Sequence, residues 1–180
     1  MNENNPPVLK STLNYGVMLG LSLVMVQLLL WMFDATTNQV LGLLSIPITV
    51  AGIALATKSF RDHEQEGFIS YGRALGIGTL TVMFSSVITS VFTYLLYTVI
   101  DPGLMDKIYA ATEEAYYESG LPEDQIEIAM QMAKRFSNPV IMSVMGFFGG
   151  TFFGFIFSLI TSIFIRKEGD PFEQEFEETD

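Results

Sequence analysis

Residues 139–165 read PVIMSVMGFFGGTFFGFIFSLITSIFI and carry no charged side chain along their whole length. An α-helix rises about 1.5 Å per residue and satisfies its own backbone hydrogen bonds, so such a stretch can cross a hydrocarbon layer of roughly 30 Å. Similarly apolar stretches occur at 13–33, 40–57 and 74–100. The sequence therefore predicts an all-α, polytopic membrane protein with four transmembrane helices.

The composition of the whole chain agrees with this class. Apolar residues make up 49% of the 180 positions, charged residues make up 16%, and the mean hydropathy is +0.38. A formal net charge of −11 argues against nucleic acid as a partner, because nucleic-acid binding depends on clustered Lys and Arg. The chain has no Cys, which excludes disulfides, thiolate nucleophiles and Cys-ligated metals. We expect the lipid bilayer as a partner, and no cofactor.

Polar segments between and beyond the spans complete the predicted organisation. They are an N-terminal segment (1–12), a short outer loop (34–39), an inner loop (58–73), an outer cap (101–138) and an acidic tail (166–180). The tail ends in EGDPFEQEFEETD, which lacks the apolar content needed to fold alone, so we expect it to be disordered.

Lys and Arg beside the spans predict the orientation, because cytoplasmic flanks carry an excess of both residues. If both termini lie inside, the basic residues on the cytoplasmic side are Lys10, Lys58, Arg61, Arg73, Arg166 and Lys167, and those on the outer side are Lys107, Lys134 and Arg135. This excess favours a cytoplasmic position for both termini, for the inner loop and for the tail.

The outer cap is predicted to be a helical hairpin between the third and fourth spans. Asp101-Pro102 is typical of a helix start, Ser119-Gly120 of a stop, and Pro122 with the acidic residues after it of a second start. Lys134-Arg135 suits the end of the second helix, because cations are favourable near a helix C-terminus.

Three tyrosines, Tyr109, Tyr116 and Tyr117, give this hairpin aromatic surface. Amphipathic aromatic rings are enriched at protein interfaces, so the three residues form a possible interface. They can equally pack between the two hairpin helices or lie at the lipid boundary. The sequence leaves these interpretations open.

Glycines four positions apart form the clearest motif of the spans. Gly146, Gly150 and Gly154 lie on one face of the fourth helix, and Gly16 and Gly20 on one face of the first; a similar pair, Gly72 and Gly76, opens the third. Missing side chains on one face allow a neighbouring helix to approach closely, which predicts helix packing. The neighbour can belong to the same chain or to a second copy, and both possibilities remain open.

Two other features admit a functional interpretation. The third span is rich in hydroxyls between Thr79 and Thr98, which can line a hydrated path, but the same groups can also hydrogen-bond to their own helix. The inner loop contains His63 among acidic residues, but consecutive side chains point in different directions, so a solvated loop is the preferred interpretation. Pro47 should kink the second span.

The motifs and the layout resemble a known bacterial family. The run GFISYGRAL at 67–75, the step Ile100-Asp101-Pro102 and the four-span arrangement are similar to the family catalogued as domain of unknown function 4199, over roughly 10–167. The resemblance implies a location in the bacterial inner membrane. It implies no catalytic residues.

We expect a non-catalytic interaction or assembly component that contacts another membrane protein or a second copy of itself, because the sequence contains packing signals without a reactive set of side chains. A small-solute carrier or channel that uses the third span is an alternative, although the spans contain no ionisable group of the kind that ion pathways need. A lipid-acting membrane enzyme would have to be built around His63.

Overall fold

The structure, a computed structural model, describes residues 8–136 and 138–167, and its elements are helical. They are α1 (Val8–Met32), α2 (Gln39–Gly42), α3 (Ser45–Glu64), α4 (Tyr71–Leu95) with a π-helical turn (Leu96–Ile100), α5 (Leu104–Glu118), α6 (Glu123–Phe136) and α7 (Pro139–Ile165). By length and composition, four stretches of the described chain can cross a membrane: 8–32, 39–64, 71–100 and 139–165. The predicted all-α fold with four spans and a helical hairpin is confirmed.

Three helices extend further than the apolar stretches that predicted them; α4 begins at Tyr71 rather than at Ala74, and the extensions of α1 and α3 are longer. α1 begins at Val8 rather than at Leu13, and α3 continues past Thr57 to Glu64. Both extensions lack Gly and Pro, so the helical backbone continues beyond the apolar stretch. The second extension ends before Gly67, whose positive φ of 88° is a conformation that glycine adopts at no steric cost. Residues 1–7 and 168–180 lie outside the described residues. The disorder that we expect for the acidic tail therefore concerns residues that the structure does not describe.

The second span is interrupted rather than gently kinked. α2 ends at Gly42, α3 starts at Ser45, and the hydroxyl of Ser45 donates to the Gly42 carbonyl over 2.8 Å across the break. Pro47 lies in the first turn of α3, where its missing N–H leaves no hydrogen bond unmade. Its ring would clash with the carbonyl four residues earlier in a continuous helix, which explains why the break falls just before it.

The first span packs along α4 at its glycines. A Cβ atom on Gly16 would lie 2.6 Å from the Cβ of Phe84 and 2.9 Å from the backbone oxygen of Thr81. A Cβ on Gly20 would lie 3.0 Å from the side chain of Ile88. No larger residue fits at Gly16 without moving backbone, so α1 and α4 approach as closely as the absent side chains allow.

The fourth span packs along another part of α4, also through glycines. A Cβ on Gly150 would lie 2.8 Å from the hydroxyl oxygen of Ser86, and one on Gly154 would overlap the side chain of Val82. The contact is looser at Gly146, where the nearest atom, the Ser90 hydroxyl oxygen, is 3.9 Å away. The glycine motifs of the first and fourth spans therefore face α4 of the same chain.

Other glycines show what the four-residue spacing misses. A Cβ on Gly72 or Gly76 would meet nothing within 4 Å among the residues that the structure describes, so this pair does not make the close surface there that its spacing predicts. Gly78 instead faces Ser158 and Ile53, and Gly52 faces Leu19. Spacing identifies one face of a helix, but only the packing decides which face is covered.

The chain closes the bundle at the end opposite the hairpin, which we call the terminal end (residues 58–70 and 166–167). Ile69 and Lys167 form an antiparallel bridge with N–H···O distances of 2.8 and 3.1 Å. The Arg61 guanidinium donates to the carbonyl of Ile165 over 3.2 Å, which satisfies an acceptor at the end of α7. Together these contacts hold the inner loop against the last residues of the fourth span.

We predict that alanine at Gly16 or Gly154 destabilises the bundle. The added methyl group overlaps Phe84 and a carbonyl at the first site and Val82 at the second, and overpacking of this kind costs about 1–3 kcal/mol. The measurement is the midpoint of thermal unfolding of the purified protein in a mild detergent, which we expect to fall for both variants.

Gly149→Ala is the matched control, because a Cβ at Gly149 meets nothing within 4 Å on the same helix as Gly154. This variant should unfold at the temperature of the unchanged protein or slightly above it. Equal midpoints for Gly149→Ala and Gly154→Ala would contradict the packing described above.

Candidate functional site

The helical hairpin is the largest described part of the chain outside the four spans, and its ends follow from local signals. α5 ends at Glu118, and Gly120 has a positive φ of 74°, as the predicted Ser119-Gly120 stop requires. α6 has Glu123 and Asp124 in its first turn and Lys134 and Arg135 in its last turn, and both pairs oppose the helix dipole favourably. These sequence predictions are confirmed. The predicted start of the first hairpin helix at Asp101-Pro102 lies too early, because α5 begins at Leu104 and the Asp101 carboxylate accepts a hydrogen bond from Trp31 instead of capping the helix.

The hairpin is fixed to the bundle through the end of the third span. Leu96 and Tyr97 of the π-helical turn pack with Leu104 and Met105 of α5 in one buried cluster. Beside it the indole N–H of Trp31 donates to a carboxylate oxygen of Asp101 over 3.0 Å. A hydrogen bond to a charged acceptor contributes about 1.5–3 kcal/mol, so this contact joins the first span firmly to the start of the hairpin.

An ion pair adds a second link on the surface. The Lys107 ammonium lies 2.7 Å from a carboxylate oxygen of Asp34, in the connection between the first two spans. The hydrogen bond and the charge of Asp34 raise the pKa of Lys107. Both side chains are exposed, and exposed ion pairs contribute little to stability. The pair therefore helps to orient α5 more than it strengthens the fold.

The three tyrosines of the hairpin do not form one surface. Tyr109 is half-buried against the cluster at the base of the hairpin, and the Lys134 ammonium lies 6.0 Å from the centre of its ring. Tyr116 is half-buried, whereas Tyr117 is 52% exposed. Tyr109 thus contributes to packing, and Tyr117 remains available for an interface.

A groove between α5 and α6 lies beside Tyr117 and is the candidate functional site; we call it the hairpin groove. It encloses about 370 Å³ and is lined by Glu113, Tyr117, Glu123, Ile126, Glu127, Met130, Gln131 and Lys134. Ile126 and Met130 are buried and form its apolar floor, while the three glutamates are exposed at its rim. An apolar floor with an acidic rim suits a ligand that carries both apolar and cationic groups.

The sequence identified Tyr117 but not the groove. The signal for its floor was present, because Ile126 and Met130 recur at helical spacing on α6. The acidic rim could not be predicted from spacing, because Glu113 and Glu127 lie on different helices and come together only in the folded hairpin.

The threonine hydroxyls of the third span bind within the bundle, four of them to carbonyls of their own helix. Thr79 donates to Leu75 and Thr81 to Ile77, each over 2.8 Å, and Thr98 donates to Tyr94 over 2.7 Å. Thr89 donates to the carbonyls of Ser85 and Ser86 over 3.2 Å, and Thr93 instead pairs with Gln27 of the first span. These bonds occupy the threonine hydroxyls, which does not favour a continuous hydrated path along this helix. The buried hydroxyls of Ser85 and Ser90 have no hydrogen-bond partner among the described residues.

His63 comes closest to a catalytic arrangement, but its Nδ1 faces the backbone of its own helix. Its Nδ1 lies 3.0 Å from the carbonyl oxygen of Ser59 and 3.4 Å from the Ser59 hydroxyl oxygen. A carbonyl can only accept a hydrogen bond, so the favourable tautomer carries its proton on Nδ1 and cannot take one from Ser59 through that atom. Within residues 8–136 and 138–167, no group of three or more His, Asp or Glu side chains is placed to hold a metal ion.

These features define the class of the protein: a multi-pass membrane protein with four helical spans and a helical hairpin between the last two. Residues 14–167 match the model of the family described as Protein of unknown function (DUF4199), so the chain belongs to this family, as the motifs at 67–75 and 100–102 indicated. No curated protein and no solved structure matches the chain.

Proposed function

We propose that this protein is a non-catalytic component of the bacterial inner membrane that binds another protein through the hairpin groove. The observation that carries this proposal is the combination of a buried apolar floor with an exposed acidic rim beside Tyr117. The partner that fits is a basic segment with at least one apolar side chain, because its cations would meet Glu113, Glu123 and Glu127.

Charge favours a different protein over a second copy of this chain as the partner. Residues 101–138 contain eight acidic and three basic side chains. Two such hairpins repel each other, while a basic partner is attracted over distances of about 10 Å at ordinary salt concentrations. The glycine motifs of α1 and α7, which could have supported a dimer, face α4 within the chain.

A non-catalytic role is supported by the same geometry. The ring of His63 is turned to a backbone carbonyl, and the threonines of the third span are bound within the bundle. The hairpin groove combines an apolar floor with exposed charges, and this arrangement supports binding.

We predict that Glu123→Lys with Glu127→Lys abolishes binding of the partner. Two reversed charges at the rim repel the basic segment, and a close like-charge arrangement costs several kcal/mol. The measurement is quantitative mass spectrometry of proteins that copurify with the full chain in a mild detergent; we expect at least one partner with a basic exposed segment, depleted by about tenfold or more.

Glu118→Lys with Asp124→Lys is the matched control. It changes the net charge equally and also reverses one charge in the first turn of α6, but neither residue lines the groove. The partner should be retained. Loss of the partner from both double variants, or from neither, would contradict binding in the groove.

We also propose that both termini are cytoplasmic and that the hairpin faces outward. The support is the basic character of the terminal end, which contains Arg61 and Lys167 and is followed directly by Arg73. The Arg73 guanidinium lies 5.7 Å from the ring centre of Phe60, and the Lys167 ammonium lies 5.3 Å from that of Phe68. Cytoplasmic flanks carry such residues preferentially.

Single cysteines in this cysteine-free chain test the orientation. A membrane-impermeant maleimide should label Ser119→Cys in cells with a permeable outer envelope, and should label Glu64→Cys only after the inner membrane is opened. Both positions are exposed in the structure, so burial does not decide the result. The reverse labelling pattern would overturn the proposed orientation.

A further inference from the structure

A cavity lies between the spans, far from the hairpin groove. It encloses about 570 Å³ and is bounded by α1, the start of α3, α4 and α7. The residues on α4 and α7 that line it, among them Ser85 and Gly150, occur near the middle of their spans. The cavity therefore lies at the depth of the lipid acyl chains.

The break in the second span contributes one side of this cavity. Ser45, Ile46 and Thr49 line it from the first turns of α3, directly after the interruption. The hydroxyls of Ser45 and Thr49 are already donated to the carbonyls of Gly42 and Ser45, each over 2.8 Å. This side therefore supplies shape rather than free hydrogen-bonding groups.

The α4 side supplies an unused hydroxyl. Ser85 lines the cavity, is only 1% exposed, and its hydroxyl has no hydrogen-bond partner within the described residues. Ser86 lies beside it, with its hydroxyl oxygen packed close to Gly150, where a Cβ would lie only 2.8 Å away. A buried unpaired hydroxyl is unfavourable by about 1–3 kcal/mol, so a bound group that accepts its proton would be stabilised here.

The other side chains that line the cavity determine which further chemical groups a ligand can carry. Besides Ser, Thr and Gly, the residues that line the cavity have aliphatic or aromatic side chains, and none of the lining residues is charged. A charged ligand would lose its hydration without a counter-charge, which excludes ions and zwitterionic headgroups from the cavity. Its volume lies in the range of small-molecule sites, which is about 300–1,000 Å³, and is far above the ~30 Å³ of one water molecule.

We infer that this cavity binds a neutral lipid with an apolar body and a carbonyl group, and that the hydroxyl of Ser85 donates to the carbonyl oxygen. The bilayer supplies two kinds of molecule with this chemistry, acyl esters such as diacylglycerol and isoprenoid quinones. The cavity is separate from the hairpin groove, so the inference holds or fails independently of partner binding.

The test is photo-crosslinking of the purified full chain in nanodiscs made of zwitterionic lipid. One arm uses a photoactivatable diacylglycerol and the other a photoactivatable isoprenoid benzoquinone, each with mass-spectrometric mapping of the labelled peptides. At least one probe should label residues within 45–49, 82–89 or 150–157 in a saturable manner, and the arm that does so identifies the source. Labelling spread evenly over lipid-facing residues such as Met18 and Phe164, or absent in both arms, would overturn the inference.

Two variants separate specific binding from general lipid contact. Ser85→Ala should weaken competition by the unlabelled ligand about two- to tenfold, the range for one neutral hydrogen bond. Ser158→Ala is its matched control, because Ser158 is also buried with an unpaired hydroxyl but does not line the cavity. The Ser158→Ala variant should bind the unlabelled ligand as the unchanged protein does.

Thr49→Phe provides a second measurement, since it adds an aromatic ring to the lining of the cavity and leaves Ser85 unsubstituted. Saturable labelling should disappear in this variant while the protein still elutes as a folded species. Labelling that survives Thr49→Phe, or that responds equally to Ser85→Ala and Ser158→Ala, would place the ligand elsewhere and overturn the inference.

Discussion

The close approach of α1 and α7 to α4 is the constraint on which the rest of the structure depends. Between helices in lipid there is no hydrophobic driving force, because acyl chains are as apolar as the side chains that they replace. Packing must instead come from many short van der Waals contacts, which require the backbones to approach closely. Gly16 allows α1 to approach Phe84 of α4, and Gly154 allows α7 to approach Val82 of the same helix.

The position of α4 then determines both candidate sites. Its C-terminal π-helical turn supports the base of the hairpin through Leu96 and Tyr97, so the hairpin groove is held by the helix that organises the bundle. Its middle carries Ser85 into the cavity next to Gly150. Two candidate sites of opposite character, one with an acidic rim and one lined without charged residues, are thus placed by one helix.

The sequence predicts best those features that depend on local composition. Long charge-free stretches predicted the four spans, because a segment that crosses the hydrocarbon layer must be apolar and helical. Ser119-Gly120 predicted the end of α5, because few residues other than glycine tolerate the positive φ of position 120. The glycine motif of α7 could be placed on one helix face, but its neighbour could not be identified, since two helices of one chain and two copies satisfy the same pattern.

Features that depend on distant residues were less predictable. Gly52 and Gly78 follow no motif, yet they face Leu19 and Ser158, whereas the well-spaced Gly72 and Gly76 face no other part of the described chain. The hairpin groove and the cavity each need residues from several helices. Pro47 indicated the distortion of the second span, but the cavity beside the break could not be inferred from one proline.

The most direct test of this account is a disulfide between Ser86→Cys and Gly150→Cys in an otherwise cysteine-free chain. A Cβ at Gly150 lies 3.6 Å from the Cβ of Ser86, within the range of about 3.5–4.5 Å that disulfides require. Mild oxidation in native membranes should give an intramolecular bond and a monomer with altered mobility. A disulfide-linked dimer formed by Gly150→Cys alone would show that the glycines of α7 face a second copy, and would contradict the bundle described here.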